Sequence, residues 1–281
     1  MPELPEVETI CRGLAQHCVG AKVLSVRVMR PQFIRGSINP ADLFSGLTIE
    51  RFHRHGKQFC LESTRGRVLL FHMGMSGSVT LRPFQSKPAP HVHVLWTLSN
   101  NGKIFEMHHK DPRRFGYVRA YENMQFVREI AWFKLGPDAL SITANELFLS
   151  LNNSRRRIKT ILLDQSIIAG VGNIYADESL FQSKIHPLRK GSSLTRAEIN
   201  QFIAELKLIL KQAIRCGGST IQSHADALGN AGTYQATHLV YGRGKEPCTI
   251  CGALLKQTQC SQRTTVYCSV CQPRNSKTHR L

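Results

Sequence analysis

No stretch of this chain reaches the roughly 18 consecutive apolar residues that a membrane-spanning helix requires. The N-terminus, Met1-Pro2-Glu3-Leu4-Pro5-Glu6, lacks the basic start and apolar core of a secretory signal. A cytosolic protein is therefore expected, one in which structural disulfides are uncommon. Internal repeats and low-complexity segments are also missing. The scarcest resource is acid: 19 Asp+Glu stand against 37 Lys+Arg, a formal net charge of +18. Such an excess favours polyanions, whether DNA, RNA or an anionic membrane surface. A membrane-surface role would need a basic amphipathic helix with a strong apolar face, and the sequence shows no such pattern.

What is present fits a globular protein of more than one domain. The chain has 281 residues, 42% of them hydrophobic, too many for one small core. An opening helix is expected from Pro5 in its first turn and from Val7, Ile10, Cys11 and Leu14 on one face. Short β-branched or alternating runs follow, 21–28, 67–72 and 92–98, separated by loops. They predict a β-sandwich or barrel over residues 1–131. Residues 132–150 read as a connection leading into a helix. Helices dominate 151–237. Thr143-Ala-Asn-Glu146 and Thr195-Arg-Ala-Glu198 both fit the capping box. The second opens a helix whose stripe, Ile199, Phe202, Ile203, Leu206, Ile209, Leu210 and Ala213, reads as core. Between them, Gly170 and Gly172 interrupt the helical pattern just before Asn173. Free amides at that helix start suit a phosphate, although a plain interhelix turn explains the segment equally well. The class is thus α+β with several domains.

Nine cysteines need an explanation other than disulfides. Cys11, Cys18, Cys60, Cys216 and Cys260 are scattered and read as small core or surface thiols. The other four make two C-x₂-C pairs, Cys248/Cys251 and Cys268/Cys271, with sixteen residues between. That spacing predicts one structural Zn²⁺ held by four thiolates, with no open position for a substrate. Two strands between the pairs would form a hairpin, and the metal would stabilise a piece of about 40 residues that cannot build its own core. This finger, residues 238–272, and a basic tail, 273–281, are charged: 238–281 hold seven Lys+Arg and one Glu, +6 of the +18. Arg263, toward the hairpin tip, is placed to meet phosphate.

Five segments together carry a resemblance. Pro2-Glu-Leu-Pro-Glu-Val-Glu-Thr9, His72-Met-Gly-Met-Ser-Gly77, Asp111-Pro-Arg-Arg-Phe-Gly116, Gly170-Val-Gly-Asn-Ile-Tyr175 and Val240-Tyr-Gly-Arg243 ahead of the cysteines resemble, in order, the formamidopyrimidine-DNA glycosylase family. Leu4 favours this branch over the related endonuclease VIII branch. The resemblance implies a β-sandwich with an opening helix, a helix-two-turn-helix domain, a zinc-finger hairpin and double-stranded DNA bound between domains. It also implies a base-excision repair enzyme that removes oxidised purines and cuts the abasic strand, acting as a monomer.

The residue roles come with it. Met1 removal would leave Pro2 with a secondary amine, which titrates near neutrality as α-amino groups do. That amine would attack C1′ and pass through an iminium to β- and δ-elimination. Glu3 would be the general acid and Glu6 a second carboxylate that relays protons or orients water. Acidic charge at a helix N-terminus is favourable in any case. Lys57 and Arg263 are implied in the catalytic set as phosphate contacts, and His72, His93, Lys159 and Asn173 as DNA contacts. Met75, Arg113 and Phe115 would fill the gap left by a flipped nucleotide. The glycine-rich stretch 217–234 would be a loop closing over the base, with Thr220 and Tyr241 touching it. Cys260-Ser-Gln stands where many members carry glycines before the hairpin arginine. Two other functions stay open: a glycosylase for oxidised pyrimidines, and a non-catalytic zinc-finger nucleic-acid-binding protein.

Overall fold

The computed structural model describes residues 1–221 and 224–274, in two compact units. Most of the expected basic tail, and two residues of the 217–234 loop, lie outside the described residues. The first unit comprises residues 1–134 and 213–235. It opens on α1 (Leu4–Cys18), with Pro5 in the first turn and a capping box closed between Glu3 and Glu6. Val7, Ile10, Leu14 and Cys18 are fully buried, as the 3.6-residue spacing predicts.

Eight strands follow: β1 (Lys22–Val28), β2 (Ile49–His55), β3 (Gln58–Ser63), β4 (Val68–His72), β5 (Ser78–Pro83), β6 (Val92–Asn100), β7 (Lys103–Lys110) and β8 (Tyr117–Tyr121). They make two four-stranded antiparallel sheets, β1-β6-β7-β5 and β2-β3-β4-β8. Phe59 and Phe71 of one sheet stack at 4.8 Å, and Phe71 meets Trp96 of the other at 5.5 Å. These aromatics and α1 share one core, which is the predicted sandwich. The Trp96 indole donates to the Leu43 carbonyl at 3.0 Å, satisfying its buried N–H. A short helical stretch, α2 (Met124–Phe126) continuing through Val127–Ala131, ends the run.

Residues 217–234 pack with this first unit, whereas the sequence reading grouped them with the helical domain. The physical reason is specific anchoring. Ser219 N donates to Glu6 at 2.8 Å, and Leu81 N donates to the Ala227 carbonyl at 2.7 Å. Ala227 itself is buried in the sandwich core. It lies so close to α1 that a Cβ at Gly13 would stand 2.8 Å from its own Cβ.

The second unit comprises 135–212 and 236–281. Its helices are α3 (Ala144–Leu151), α4 (Ile158–Leu162), α5 (Asn173–Gln182) and the start of α6 (Arg196–Arg215). Both capping boxes form: Thr143 with Glu146, and Thr195 with Glu198. The α6 stripe named above is buried throughout. The unit ends in a hairpin of β9 (Lys256–Cys260) and β10 (Arg263–Tyr267). Its two-residue turn puts both Ser261 and Gln262 at positive φ, 51° and 57°. That primed turn suits the strand twist but usually recruits glycine or asparagine. The hairpin register survives without the glycines because the tip is tied down: Ser261 Oγ donates to Thr160 Oγ1 at 2.9 Å, and Thr160 Oγ1 lies 3.2 Å from Cys260 Sγ.

Candidate active site and metal-binding cluster

The N-terminal constellation grows from the first turn of α1. Pro2, Glu3 and Glu6 are all buried. Glu6 faces back along the chain, and one oxygen accepts the Glu3 N–H at 2.8 Å. Its other oxygen accepts the Ser219 N–H at 2.8 Å. One carboxylate thus ties the residue after Pro2 to the 217–234 loop. Gly218 (φ 80°) makes this possible: a Cβ there would stand 2.9 Å from Glu6 Oε1 and 3.2 Å from His224 Nε2.

A second cluster of the same unit lies on the β4 side. Lys57 and Arg35 both depress the protonation of His72, although burial is the larger cause of its lowered pKa. The His72 ring stacks on Tyr117 at 5.1 Å, and the Arg35 guanidinium sits 3.5 Å over the same tyrosine. The arrangement gathers a neutral imidazole and two cations around one tyrosine ring.

The loops 73–77 and 111–116 form one device. The Asp111 carboxylate accepts from Ser76 Oγ at 2.5 Å and from Gly116 N at 2.7 Å, and Ser76 Oγ also accepts the Arg113 N–H at 3.0 Å. The approach is so close that a Cβ at Gly74 would come within 2.4 Å of Gly116 N. The result holds Met75 half-buried, Arg113 exposed and Phe115 56% exposed, with Arg113 5.2 Å from the Phe115 ring. At that exposure Phe115 is no part of the core.

Two expected contacts are corrected here. Lys159 is fully buried, not poised for phosphate. Its Nζ lies 2.6 Å from Asp177 Oδ1 and donates to Thr265 Oγ1 at 2.8 Å and to the Thr264 carbonyl at 3.2 Å. His93 is buried against Phe33, ring to ring at 4.7 Å, with Nε2 2.8 Å from the Asp111 carbonyl. It braces the Asp111 turn instead of presenting a free ring. The remaining residues divide. Asn173 starts α5 as expected, and its Nδ2 donates to Thr264 O at 2.9 Å. Thr220 spends its hydroxyl inside the loop, donating to His224 O and accepting from Gly232 N. Tyr241 is half-buried, its N–H held by Glu178 together with those of Leu239 and Val240. Arg263 is exposed at the hairpin tip.

Sequence reasoning passed over Asp177, Glu178, Asp111 and His224. The first two left a faint signal, since acidic residues inside a buried amphipathic helix need partners.

The four cysteines converge. Their Sγ atoms all lie within 4.8 Å of one another and could hold a metal ion. Cys248 and Cys271 stand 3.9 Å apart, Cys251 and Cys268 3.5 Å. Among the described residues no other such cluster of His, Cys, Asp and Glu is found, and no helix is long and apolar enough to cross a membrane.

Comparison with known proteins agrees with this geometry. Residues 1–118 match the formamidopyrimidine-DNA glycosylase N-terminal domain, and 135–225 match the formamidopyrimidine-DNA glycosylase H2TH domain. The formamidopyrimidine-DNA glycosylase of Bacillus anthracis is 36% identical over 280 residues, 98% of this chain and all of the relative. That of Saccharophagus degradans is 38% identical over 278 residues, 97% of this chain and all of the relative. Among solved structures, Lactococcus lactis Fpg with abasic-site DNA superposes with a TM-score of 0.87 at 31% identity, covering 96% of this chain and 99% of that one. The wild-type Lactococcus lactis enzyme with oxidised-pyrimidine DNA also gives 0.87 at 31% identity, covering 97% and 100%. This chain belongs to the formamidopyrimidine-DNA glycosylase family.

Proposed function

We propose that the protein is a base-excision repair glycosylase that removes oxidised purines from duplex DNA and then cuts the abasic strand. The observation that carries this reading is the buried Pro2–Glu3–Glu6 constellation bonded to Ser219. Binding alone needs none of it. With Met1 removed, the Pro2 nitrogen becomes a secondary amine whose lone pair is no longer delocalised into a peptide bond. It attacks C1′ of the damaged nucleotide, the C1′–N bond electrons leave with the base, and the amine proton is given up to the departing base anion. Glu3 protonates the ring oxygen as the sugar opens, leaving an iminium between Pro2 and C1′. That electron sink acidifies the neighbouring carbon and permits β-elimination, then δ-elimination. Glu6, fixed on both oxygens, holds the loop and orients the acid. Lys57 and His72 with Arg35, and Arg263 on the hairpin, hold the phosphates, and Met75, Arg113 and Phe115 fill the gap in the stack. The net +18 supplies the general attraction to DNA.

Borohydride trapping on an 8-oxoguanine duplex tests this. The processed wild-type chain should give a covalent adduct, and Pro2→Gly should cut the yield by at least tenfold. An adduct of equal yield from both, or none from the wild type, overturns the assignment of the nucleophile.

A second reading has its own support. One solved neighbour carries oxidised-pyrimidine DNA, so thymine glycol belongs in the substrate panel. Faster release of that base than of 8-oxoguanine would reassign the preference.

We assign zinc to the cysteine cluster. Four Zn–S bonds of roughly 2.3 Å in a tetrahedron set sulfur atoms about 3.8 Å apart, which the two measured separations fit. When bound, the metal crosslinks the ends of the hairpin and supplies no chemistry. Chelation is expected to weaken duplex binding by an order of magnitude or more while the first unit stays folded. Circular dichroism and limited proteolysis after chelator treatment check this; loss of all structure together would contradict it.

A further inference from the structure

A cavity of about 480 Å³ opens on the first unit, where the end of α1, the end of β5, the β6–β7 hairpin and the 217–234 loop come together. Its walls are held by their own hydrogen bonds. Asn100 Nδ2 donates to the carbonyls of His17 and Val19, at 3.1 Å each, and so ties the hairpin to the last turn of α1. Asn101 (φ 48°) and Gly102 (φ 75°) close that hairpin in a two-residue primed turn, which matches the strand twist. On the loop side, Asp226 Oδ1 accepts the N–H groups of Leu228 and Asn230 at 2.9 and 2.8 Å. Ala227, between them, is buried in the sandwich core. That self-bonded turn presents Leu228, 53% exposed, as one wall of the cavity. A preformed hollow of this size falls within the roughly 300–1,000 Å³ of small-molecule sites.

The lining combines an apolar surface with positive charge. Leu81 and Phe105, which pack against the sandwich core, line the cavity together with Leu228. Arg82 and Lys103, both exposed, add two cations, and no Asp or Glu lines it. Two carboxylates of the adjoining chain are engaged elsewhere. Glu106, opposite Arg82 across the strands, meets His108 at 2.8 Å and accepts the Gln85 N–H at 3.3 Å. Asp226 closes its own turn, with Oδ2 accepting Asn230 Nδ2 at 3.1 Å. The charge therefore suits an anion, and the apolar surface suits a ligand with a hydrocarbon or aromatic body. A bare inorganic ion would leave that surface wet, and a neutral hydrocarbon would leave both cations unmatched.

We propose that this cavity binds a small amphipathic organic anion, an apolar body carrying one acidic group. The site is separate from the N-terminal constellation: His17, in its lining, stands about 20 Å along the α1 axis from Glu3, at 1.5 Å per residue. It does not depend on the glycosylase reading. Through Leu228 the occupant touches the same loop that Glu6 holds by the Ser219 N–H.

Fluorescence titration of the full chain with 8-anilinonaphthalene-1-sulfonate, an aromatic body with one sulfonate, tests this. A saturable rise in emission is expected, reversed by decanoate. Arg82→Glu combined with Lys103→Glu should weaken that binding roughly tenfold or more. Leu228→Ser should weaken it about threefold or more, through lost apolar contact. Arg27→Glu combined with Arg65→Glu makes the same change of net charge outside the lining and should alter affinity by less than about twofold. Equal weakening in the two double variants would reduce the effect to net charge and overturn the site. Absence of saturable binding, or an affinity unmoved by Arg82→Glu with Lys103→Glu, would also overturn it. Displacement by GMP, whose body includes a polar sugar, without displacement by decanoate would overturn the ligand class. Melting temperatures identify any loss that comes from unfolding, and Lys103→Ala, at the exposed hairpin, repeats the charge comparison singly if the double variant melts early.

Discussion

Replacing Lys159 with methionine is expected to destabilise the second unit by about 3 kcal/mol, the low end of what breaking a buried ion pair costs. The pair is fully enclosed: side-chain exposure is 0% for Lys159 and 1% for Asp177. Besides meeting each other at 2.6 Å, the two grip β10 from one side. Lys159 donates to Thr265 Oγ1 and Thr264 O, and Asp177 Oδ2 accepts the Val266 N–H at 3.1 Å. Burial pushes the Asp177 carboxyl up to about 7 even though Lys159 and the Val266 amide pull it down. Without the lysine the carboxyl would take a proton, which is why the low end applies. The double variant Lys159→Met with Asp177→Leu should recover most of the loss, since a packed apolar pair often matches a buried ionic one. Denaturant unfolding measures both. DNA binding separates this role from a phosphate contact. If Lys159 touches no phosphate, the salt dependence of binding stays unchanged in Lys159→Met. A slope reduced by about 0.9, the signature of one lost phosphate contact, would restore the original expectation.

That correction shows where the sequence stops being readable. The helices, the sandwich, both capping boxes and the cysteine cluster follow from local rules: periodicity, capping residues, ligand spacing. Lys159 obeyed no such rule. A basic residue just after Arg155-Arg-Arg157 looks solvated, and only the packing of α4, α5 and β10 brings Asp177 under it. The clue present was the apolar context, Ile158-Lys-Thr-Ile-Leu162, where one lysine interrupts residues that are otherwise core. His93 misled in the same way. It lies in a strand buried on both faces, and its partner is a carbonyl eighteen residues away. The placement of 217–234 was hidden for a related reason: its anchors, Glu6 and Leu81, are over 130 residues distant in sequence. By contrast Pro2, Glu3 and Glu6 are neighbours along the chain, and their constellation was legible because one helical turn builds most of it.

The second large effect concerns acid. His109 is wholly buried on β7, with the Phe33 ring edge-on at 4.7 Å and Phe71 at 5.5 Å. Neither ring nitrogen has a hydrogen-bond partner among the described residues. Burial drives its pKa from 6.5 down to about 3; Asp111 pulls upward and His93 adds to the lowering. The folded state therefore keeps the ring neutral, while the unfolded chain takes up a proton near its ordinary pKa. Stability from this residue is complete above pH 6.5 and is lost as pH falls from there toward 3, because the unfolded state binds the proton first. At pH 5 the loss is about 2 kcal/mol, following from 1.36 kcal/mol per unit of pKa difference. His72, His186, His224 and His238 are also depressed by burial, so the wild type should lose more than His109 alone explains. The His109→Leu variant isolates one residue. Between about pH 7.5 and about pH 5 its unfolding free energy should fall by about 2 kcal/mol less than that of the wild type. At the higher pH it should be at least as stable as the wild type, since two buried unpaired nitrogens are replaced by carbon. Urea titrations of both chains at the two pH values give the comparison, and equal falls would mean that His109 finds a partner for its proton in the folded state.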